Sequence, residues 1–318
     1  MTRSTTILVG VDGSASSLHA LDWATAHAKH IGWTLHLVCA YSLPSFTAAS
    51  LDGGYAALDD SVIQDGARAV LEEALARAEA RGVHAESTLT TGDAAGVLVE
   101  MSREHGLAVV GTRGGGGFAE RLLGTTSSAL PAHAYCPTIV VPLRDGAGKS
   151  LAGTEPADLP DVEPLRRIVV GVDGSPWAER ALELAVKVGL EWQAEIVAVA
   201  GVPVGTGAGL LAWLPAAVDH EQVLADMAAG LDVIVDRHEA ANPGLSIRRI
   251  VLDGSGAELL TEFSEASDLI VLGSRGRGGF AGLLLGSTSQ AVLQHAVCPV
   301  MVVTKRCVEA LDEKAAQR

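Results

Sequence analysis

Short continuous apolar runs recur along the chain, each three to five residues long and closed by a glycine, a proline or a polar residue. In the first half they are Ile7-Leu8-Val9-Gly10-Val11, Leu107 to Val110 and Ile139 to Val141; in the second they are Ile168 to Val172, Leu269 to Leu272 and Val300 to Val303. Runs this short, with no polar alternation, predict strands covered on both faces of a parallel sheet. Between them the apolar positions change to a helical period. Ala67, Val70, Leu71, Ala74, Leu75 and Ala78 mark one such stretch, and Leu224, Met227, Ala228, Leu231, Ile234, Val235 and His238 another. Ser14 and Ser175 follow the first strand of each half, where a helix needs an N-cap.

The pattern occurs twice. Val9-Gly10-Val11-Asp12-Gly13-Ser14 returns 161 residues later as Val170-Gly171-Val172-Asp173-Gly174-Ser175, and Gly111-Thr112-Arg113-Gly114 returns 162 residues later as Gly273-Ser274-Arg275-Gly276. Gly124-Thr125 and Cys136-Pro137 are repeated at the same spacing as Gly286-Ser287 and Cys298-Pro299. A duplication is therefore expected, with domains at 1–143 and 165–305, an exposed Gly-, Pro- and Ala-rich linker at 144–164 and a tail at 306–318.

Each half reads β-α-β-α-β-α-β-α-β, which predicts an open, doubly wound, five-stranded parallel sheet in the order 3-2-1-4-5. Ligands of such sheets bind beyond the carboxyl ends of the strands, where the winding direction reverses. Here that point lies between strands 1 and 4, beside Asp12 and Asp173 and the glycine-rich loops after strand 4. Strand 5 ends the sheet and is strongly apolar in both halves. Such an edge needs covering, which predicts either a homodimer or an intrachain pseudo-dimer.

The two loops share the spacing G-x2-G-x9-G-[ST], from Gly111 to Thr125 and from Gly273 to Ser287. Glycines let a backbone approach an anion closely. The closing Gly-[ST] opens a helix, over 125–133 or 287–295, whose free N–H groups favour a phosphate. At Gly124 and Gly286 a Cβ is expected either to clash with the ligand or to disfavour a positive φ. Arg113 and Arg121 lie in the first loop with Glu120, and Arg275 and Arg277 in the second with no acid from 273 to 308. The whole chain carries 38 acidic against 23 basic residues, a net charge of −15. A cationic pocket on an acidic protein suits a small anion, and the overall charge disfavours nucleic acid and anionic membranes.

No apolar run approaches the ~18–20 residues that cross a bilayer, and Asp12 interrupts the N-terminal apolar stretch, so a soluble, cytoplasmic chain is expected. Cys39, Cys136, Cys298 and Cys307 are too scattered for a disulfide framework. His133 with Cys136, and His295 with Cys298, fall short of the four ligands of a structural zinc, so no metal site is expected.

V-G-x-D-G-S at strand 1, G-x2-G-x9-G-[ST] after strand 4 and H-x-x-C-P before strand 5, all present twice and in order, resemble the universal stress protein family in its ATP-binding, two-domain form. The resemblance covers nearly the whole chain. It implies an adenine-nucleotide alpha-hydrolase-like fold and up to two ATP per chain, with or without Mg²⁺. By position it also implies nucleoside contacts at Asp12 and Asp173, beside Gly10 and Gly171. Backbone contacts to the adenine edge fall at Ala40 and Gly201. Phosphate contacts fall on Gly111, Arg113, Gly114, Gly117, Gly124, Thr125, Thr126 and Ser127 in the first half. In the second they fall on Gly273, Arg275, Gly276, Arg277, Gly279, Gly286, Ser287, Thr288 and Ser289. Gly115 stands where the second loop has Arg277.

The loops also fit G-x-G-x-x-[GA], but a dinucleotide fingerprint belongs after strand 1 with an acid roughly 20 residues on, and neither condition holds. No P-loop motif occurs, and no acid pair near the loops suggests metal-driven hydrolysis. That favours nucleotide binding with a regulatory role. A slow ATPase and a nucleotide-free interaction module are the alternatives.

Overall fold

The structure is a computed structural model that describes residues 4–42, 60–114, 123–144, 149–151, 153–202, 220–277 and 284–309. Two compact units divide the chain: the first runs to Arg144 and takes in Ser150–Val162, and the second begins at Glu163.

In the first unit β1 (Thr6–Gly10), β2 (Thr34–Tyr41), β3 (Ala85–Thr91), β4 (Leu107–Gly111) and β5 (Thr138–Val141) alternate with α1 (Ala15–Ile31), α2 (Asp60–Glu79), α3 (Ala94–Met101) and α4 (Thr125–His133). All pairings are parallel, in the order β3-β2-β1-β4-β5. The second unit repeats this with β6 (Arg167–Gly171), β7 (Glu195–Val202), β8 (Ile247–Asp253), β9 (Leu269–Gly273) and β10 (Val300–Val303). Its helices are α5 (Pro176–Trp192), α6 (His220–Ala241), α7 (Gly256–Phe263) and α8 (Ser287–His295). The order is β8-β7-β6-β9-β10, again parallel throughout.

The central strands carry the unbroken apolar runs because both faces are covered. Ile7, Leu8 and Val9, and likewise Ile168, Val169 and Val170, are fully buried. Ser14 caps α1 by accepting from the Ser17 N–H, and Ser175 caps α5 by accepting from the Ala178 N–H. Both helices therefore start immediately after the strand that carries the aspartate, which fixes that aspartate at the carboxyl edge of the sheet.

Residues 150–162 are tied to the first unit. Arg144 and Ser150 form an isolated antiparallel bridge, and Arg77 Nη2 donates to the Pro156 carbonyl at 3.2 Å. The same guanidinium holds the buried carboxylate of Asp22 through two bonds of 2.7 Å. Removing one partner of a buried pair costs about 3–5 kcal/mol when it strands the other, and Arg81 Nη2, 3.1 Å from Asp22 Oδ1, puts the cost here at the lower end. Arg77→Ala should therefore lower stability by about 3 kcal/mol, read as a fall in the melting temperature of the first unit.

His36 on β2 meets His105 Nε2 through Nδ1 at 3.0 Å and Thr88 Oγ1 through Nε2 at 2.8 Å. Burial, then the neighbouring His105, pulls the His36 pKa below its ordinary value, with Glu86 opposing. The unfolded chain, with histidine near pKa 6.5, thus binds protons that the folded chain refuses. Stability from this site is intact above about pH 6.5 and is lost as the pH falls through that value. Melting temperatures between pH 7.5 and 5.5 should decline on the acid side, and His36→Gln should flatten that decline.

Candidate nucleotide site

The carboxyl edges of β1 and β4 border a cavity of about 450 Å³ in the first unit, and those of β6 and β9 border one of about 550 Å³ in the second. Both volumes lie within the ~300–1,000 Å³ of small-molecule sites. In the first, Gly10, Asp12 and Ala40 lie on the wall together with Arg113, Gly114 and Gly124. In the second, Gly171, Asp173 and Gly201 occupy the same places with Arg275, Gly276 and Gly286. Thr125, Thr126 and Ser127, and Ser287, Thr288 and Ser289, close the far end. Sequence reasoning missed the apolar walls, Val38 and Leu98 in one half and Val199 and Leu260 in the other. The leucines belong to the short amphipathic helices α3 and α7, whose burial on the sheet is the only signal for them.

The aspartates are anchored from both sides. Asp12 Oδ1 accepts from Ser14 N–H at 3.1 Å and Ser14 Oγ at 2.6 Å. Asp173 Oδ1 accepts from Ser175 N–H at 2.9 Å, and its Oδ2 accepts from the Arg277 N–H at 2.9 Å. A carboxylate offers about four lone-pair positions, so Asp173 keeps capacity for ligand hydroxyls. Gly114 and Gly276 are glycines because a Cβ there would run into Asp12 Oδ2 or Asp173 Oδ2. The aspartate thus also latches the glycine loop to strand 1.

Gly111 and Gly273 are required for packing. A Cβ on Gly111 would lie 2.5 Å from Ser16 O, and one on Gly273 would lie 2.9 Å from the carbonyl carbon of Trp177. Strand 4 therefore touches the backbone of the first helix of its unit.

Gly124 and Gly286 are different. Of the two reasons expected for glycine, a positive φ is not the one: both are extended N-caps, with φ −78° at Gly124 and −75° at Gly286. A Cβ would sit 3.5 Å from the nearest atom at each, an ordinary contact. Their own N–H groups are already used, by Thr112 O at 2.8 Å and Ser274 O at 2.7 Å, which draws the loop shut onto the helix. Neither backbone conformation nor packing calls for glycine here.

The free donors are one turn further on. The first N–H groups bonded within α4 and α8 are those of Ser128, to Gly124 O, and Gln290, to Gly286 O. The N–H groups of Thr125, Thr126 and Ser127, and of Ser287, Thr288 and Ser289, have no acceptor among the described residues. The hydroxyls of Ser127 and Ser289 are occupied, donating to Thr112 O at 2.7 Å and Gly273 O at 2.9 Å. Those two serines pin the loop through their side chains, which leaves their backbone N–H groups as the donors without an acceptor among the described residues.

The model of the universal stress protein family matches residues 4–142 and again 164–304. The chain belongs to the universal stress protein family. It is 33% identical over 310 residues to universal stress protein Rv2623 of Mycobacterium tuberculosis, covering 93% of this chain and 95% of that one. A universal stress protein of Mycolicibacterium smegmatis is 32% identical over 309 residues, covering 94% of this chain and 97% of the relative. A solved universal stress protein from Archaeoglobus fulgidus shares the fold, with a TM-score of 0.67 at 22% identity, across 96% of this chain and 100% of that structure.

In this universal stress protein the arginines of the loops differ between halves. Arg113 Nη2 donates to Ser150 Oγ at 2.9 Å, so the segment after β5 reaches the mouth of the first cavity. Arg277 in the second half lies over Gly174 and donates from Nη2 to its carbonyl at 3.4 Å. Gly117 and Gly279 lie outside the described residues, as do Arg121 and most of the loop tips. Among the described residues no helix is long and apolar enough to cross a membrane.

Proposed function

We propose that each half binds one adenine nucleotide, ATP in the first instance, and that the protein acts through the bound nucleotide in a regulatory stress response. The observation that carries this reading is the row of three unpaired N–H groups at the start of α4 and of α8, each opening into a cavity at the switch point. Aligned N–H groups and the positive end of the helix favour phosphate oxygens. The glycine at each N-cap adds to this. Serine, aspartate or asparagine would cap better, and the chain's own packing leaves room for a Cβ. A phosphate lying against the N-cap gives glycine a reason. The apolar wall of Val38 and Leu98, or Val199 and Leu260, suits the flat face of a base. Asp12 and Asp173 offer carboxylate acceptors to ribose hydroxyls.

A ligand that binds only the folded state stabilises it by about 2.7 kcal/mol at a hundredfold excess over Kd. Saturating ATP should therefore raise the melting temperature of the nucleotide-free protein by several degrees. No change in melting with ATP, ADP and AMP would count against the reading. Release of inorganic phosphate from ATP by the same preparation separates turnover from binding.

A further inference from the structure

The two halves are not equivalent on the other side of the strand-1 aspartate. Leu71 on α2 and Leu231 on α6 are buried to 4% and 3% exposure and correspond at a spacing of 160 residues. The residue before each is Val70 in the first half and Gly230 in the second. Val70 packs on the strand-1 loop, with its Cγ2 3.0 Å from where a Cβ on Gly13 would be. Gly230 has nothing near it within 4 Å of a Cβ position, and a groove of about 310 Å³ opens there.

That groove shares Asp173 and Arg277 with the nucleotide cavity, so the two spaces meet at these residues. Met227, Leu231 and Ile234 of α6 make much of its lining. Its polar groups are Asp173, Asp226 and Arg277. Asp173 already accepts from two N–H groups, and Asp226, exposed on α6, accepts from Gln222 Nε2 at 2.8 Å. The guanidinium of Arg277 is a cation at the junction, held among the described residues by a 3.4 Å bond to Gly174 O.

We propose that the second half takes a dinucleotide: an adenine nucleotide whose ribose continues through a phosphodiester into a second planar base. This rests on the proposed function, which puts the ribose at Asp173. A phosphodiester leaving that ribose meets the guanidinium of Arg277, which can donate to its oxygens. The base beyond it enters an apolar groove, where a guanidinium also stacks well on a flat ring. In the first half Val70 fills the equivalent space and Gly115 replaces Arg277, which leaves that site to mononucleotides.

The test titrates the nucleotide-free full chain with the linear dinucleotide pApA, with AMP, with adenosine 3′,5′-bisphosphate and with ATP. The expected result is one pApA site per chain at least about tenfold tighter than AMP and tighter than the bisphosphate. Gly230→Val should remove that gain while AMP and ATP bind as before, and Arg277→Gly should remove it as well. Circular dichroism melts confirm that both variants fold. The proposal is overturned if pApA binds no tighter than AMP, if the bisphosphate matches it, or if the gain survives Gly230→Val. Failure of every adenine nucleotide, ATP included, would instead overturn the proposed function and this inference with it.

Discussion

Gly286→Val is expected to abolish ATP binding in the second half while its fold stands, and Gly124→Val to do the same in the first. The backbone at both positions is extended, which valine adopts without strain, and a Cβ would meet the chain only at 3.5 Å. Valine caps worse than glycine, at a cost of about 1 kcal/mol in helix stability that leaves the fold standing. The branched methyls, however, would stand at the entrance to the free N–H groups of residues 287–289 or 125–127, where a phosphate must come closest. A loss of about a hundredfold or more in affinity, on the order of 2.8 kcal/mol, is expected at the altered site. Titration with ATP reads the loss, and a melt without nucleotide shows the fold. Parental affinity in both variants would remove the phosphate role from the N-cap.

Gly111→Val is expected to do the opposite and destabilise its unit through packing. Here the added Cβ would stand 2.5 Å from both the carbonyl and the hydroxyl oxygen of Ser16, on the first turn of α1. Gly273→Val meets the Trp177 backbone and Cβ, the latter at 2.7 Å. A backbone neighbour cannot swing aside as a side-chain tip can. Overpacking of this kind costs about 1–3 kcal/mol and sometimes more, and a clash with helix backbone belongs at the upper end. At about 2–4 °C per kcal/mol for a unit of this size, the melting temperature should fall by roughly 6–12 °C. Two glycines of one motif thus separate by experiment: the first holds strand 4 against a helix, and the third makes room for a ligand.

The motif alone does not make that distinction. G-x2-G-x9-G-[ST] presents its glycines as equals, whereas their surroundings differ: helix backbone at Gly111, a carboxylate at Gly114 and the cavity at Gly124. The duplicated α/β pattern was legible because the central strands are covered on both faces and so read as plain apolar runs. The outer strands β3, Ala-Glu-Ser-Thr-Leu-Thr-Thr, and β8, Ile-Arg-Arg-Ile-Val-Leu-Asp, are partly exposed and carry polar residues among their apolar ones; the winding order required them. The N-caps at Ser14 and Ser175 followed from local chemistry. The φ at Gly124 and Gly286 could not, because N-capping gives a glycine an extended backbone just as it does a serine. Ser127 and Ser289 likewise read as hydroxyl donors to a ligand, but long-range bonds to Thr112 and Gly273, 15 and 16 residues away, take those protons first.

The central claim, that both glycine-loop cavities are nucleotide sites, is tested most directly by calorimetric titration of the nucleotide-free full chain with ATP. The account predicts two ATP per chain for the parent, one for Gly124→Val, one for Gly286→Val and none for the double variant. Absence of ATP binding by the folded parent, or two sites retained in the folded double variant, would contradict it.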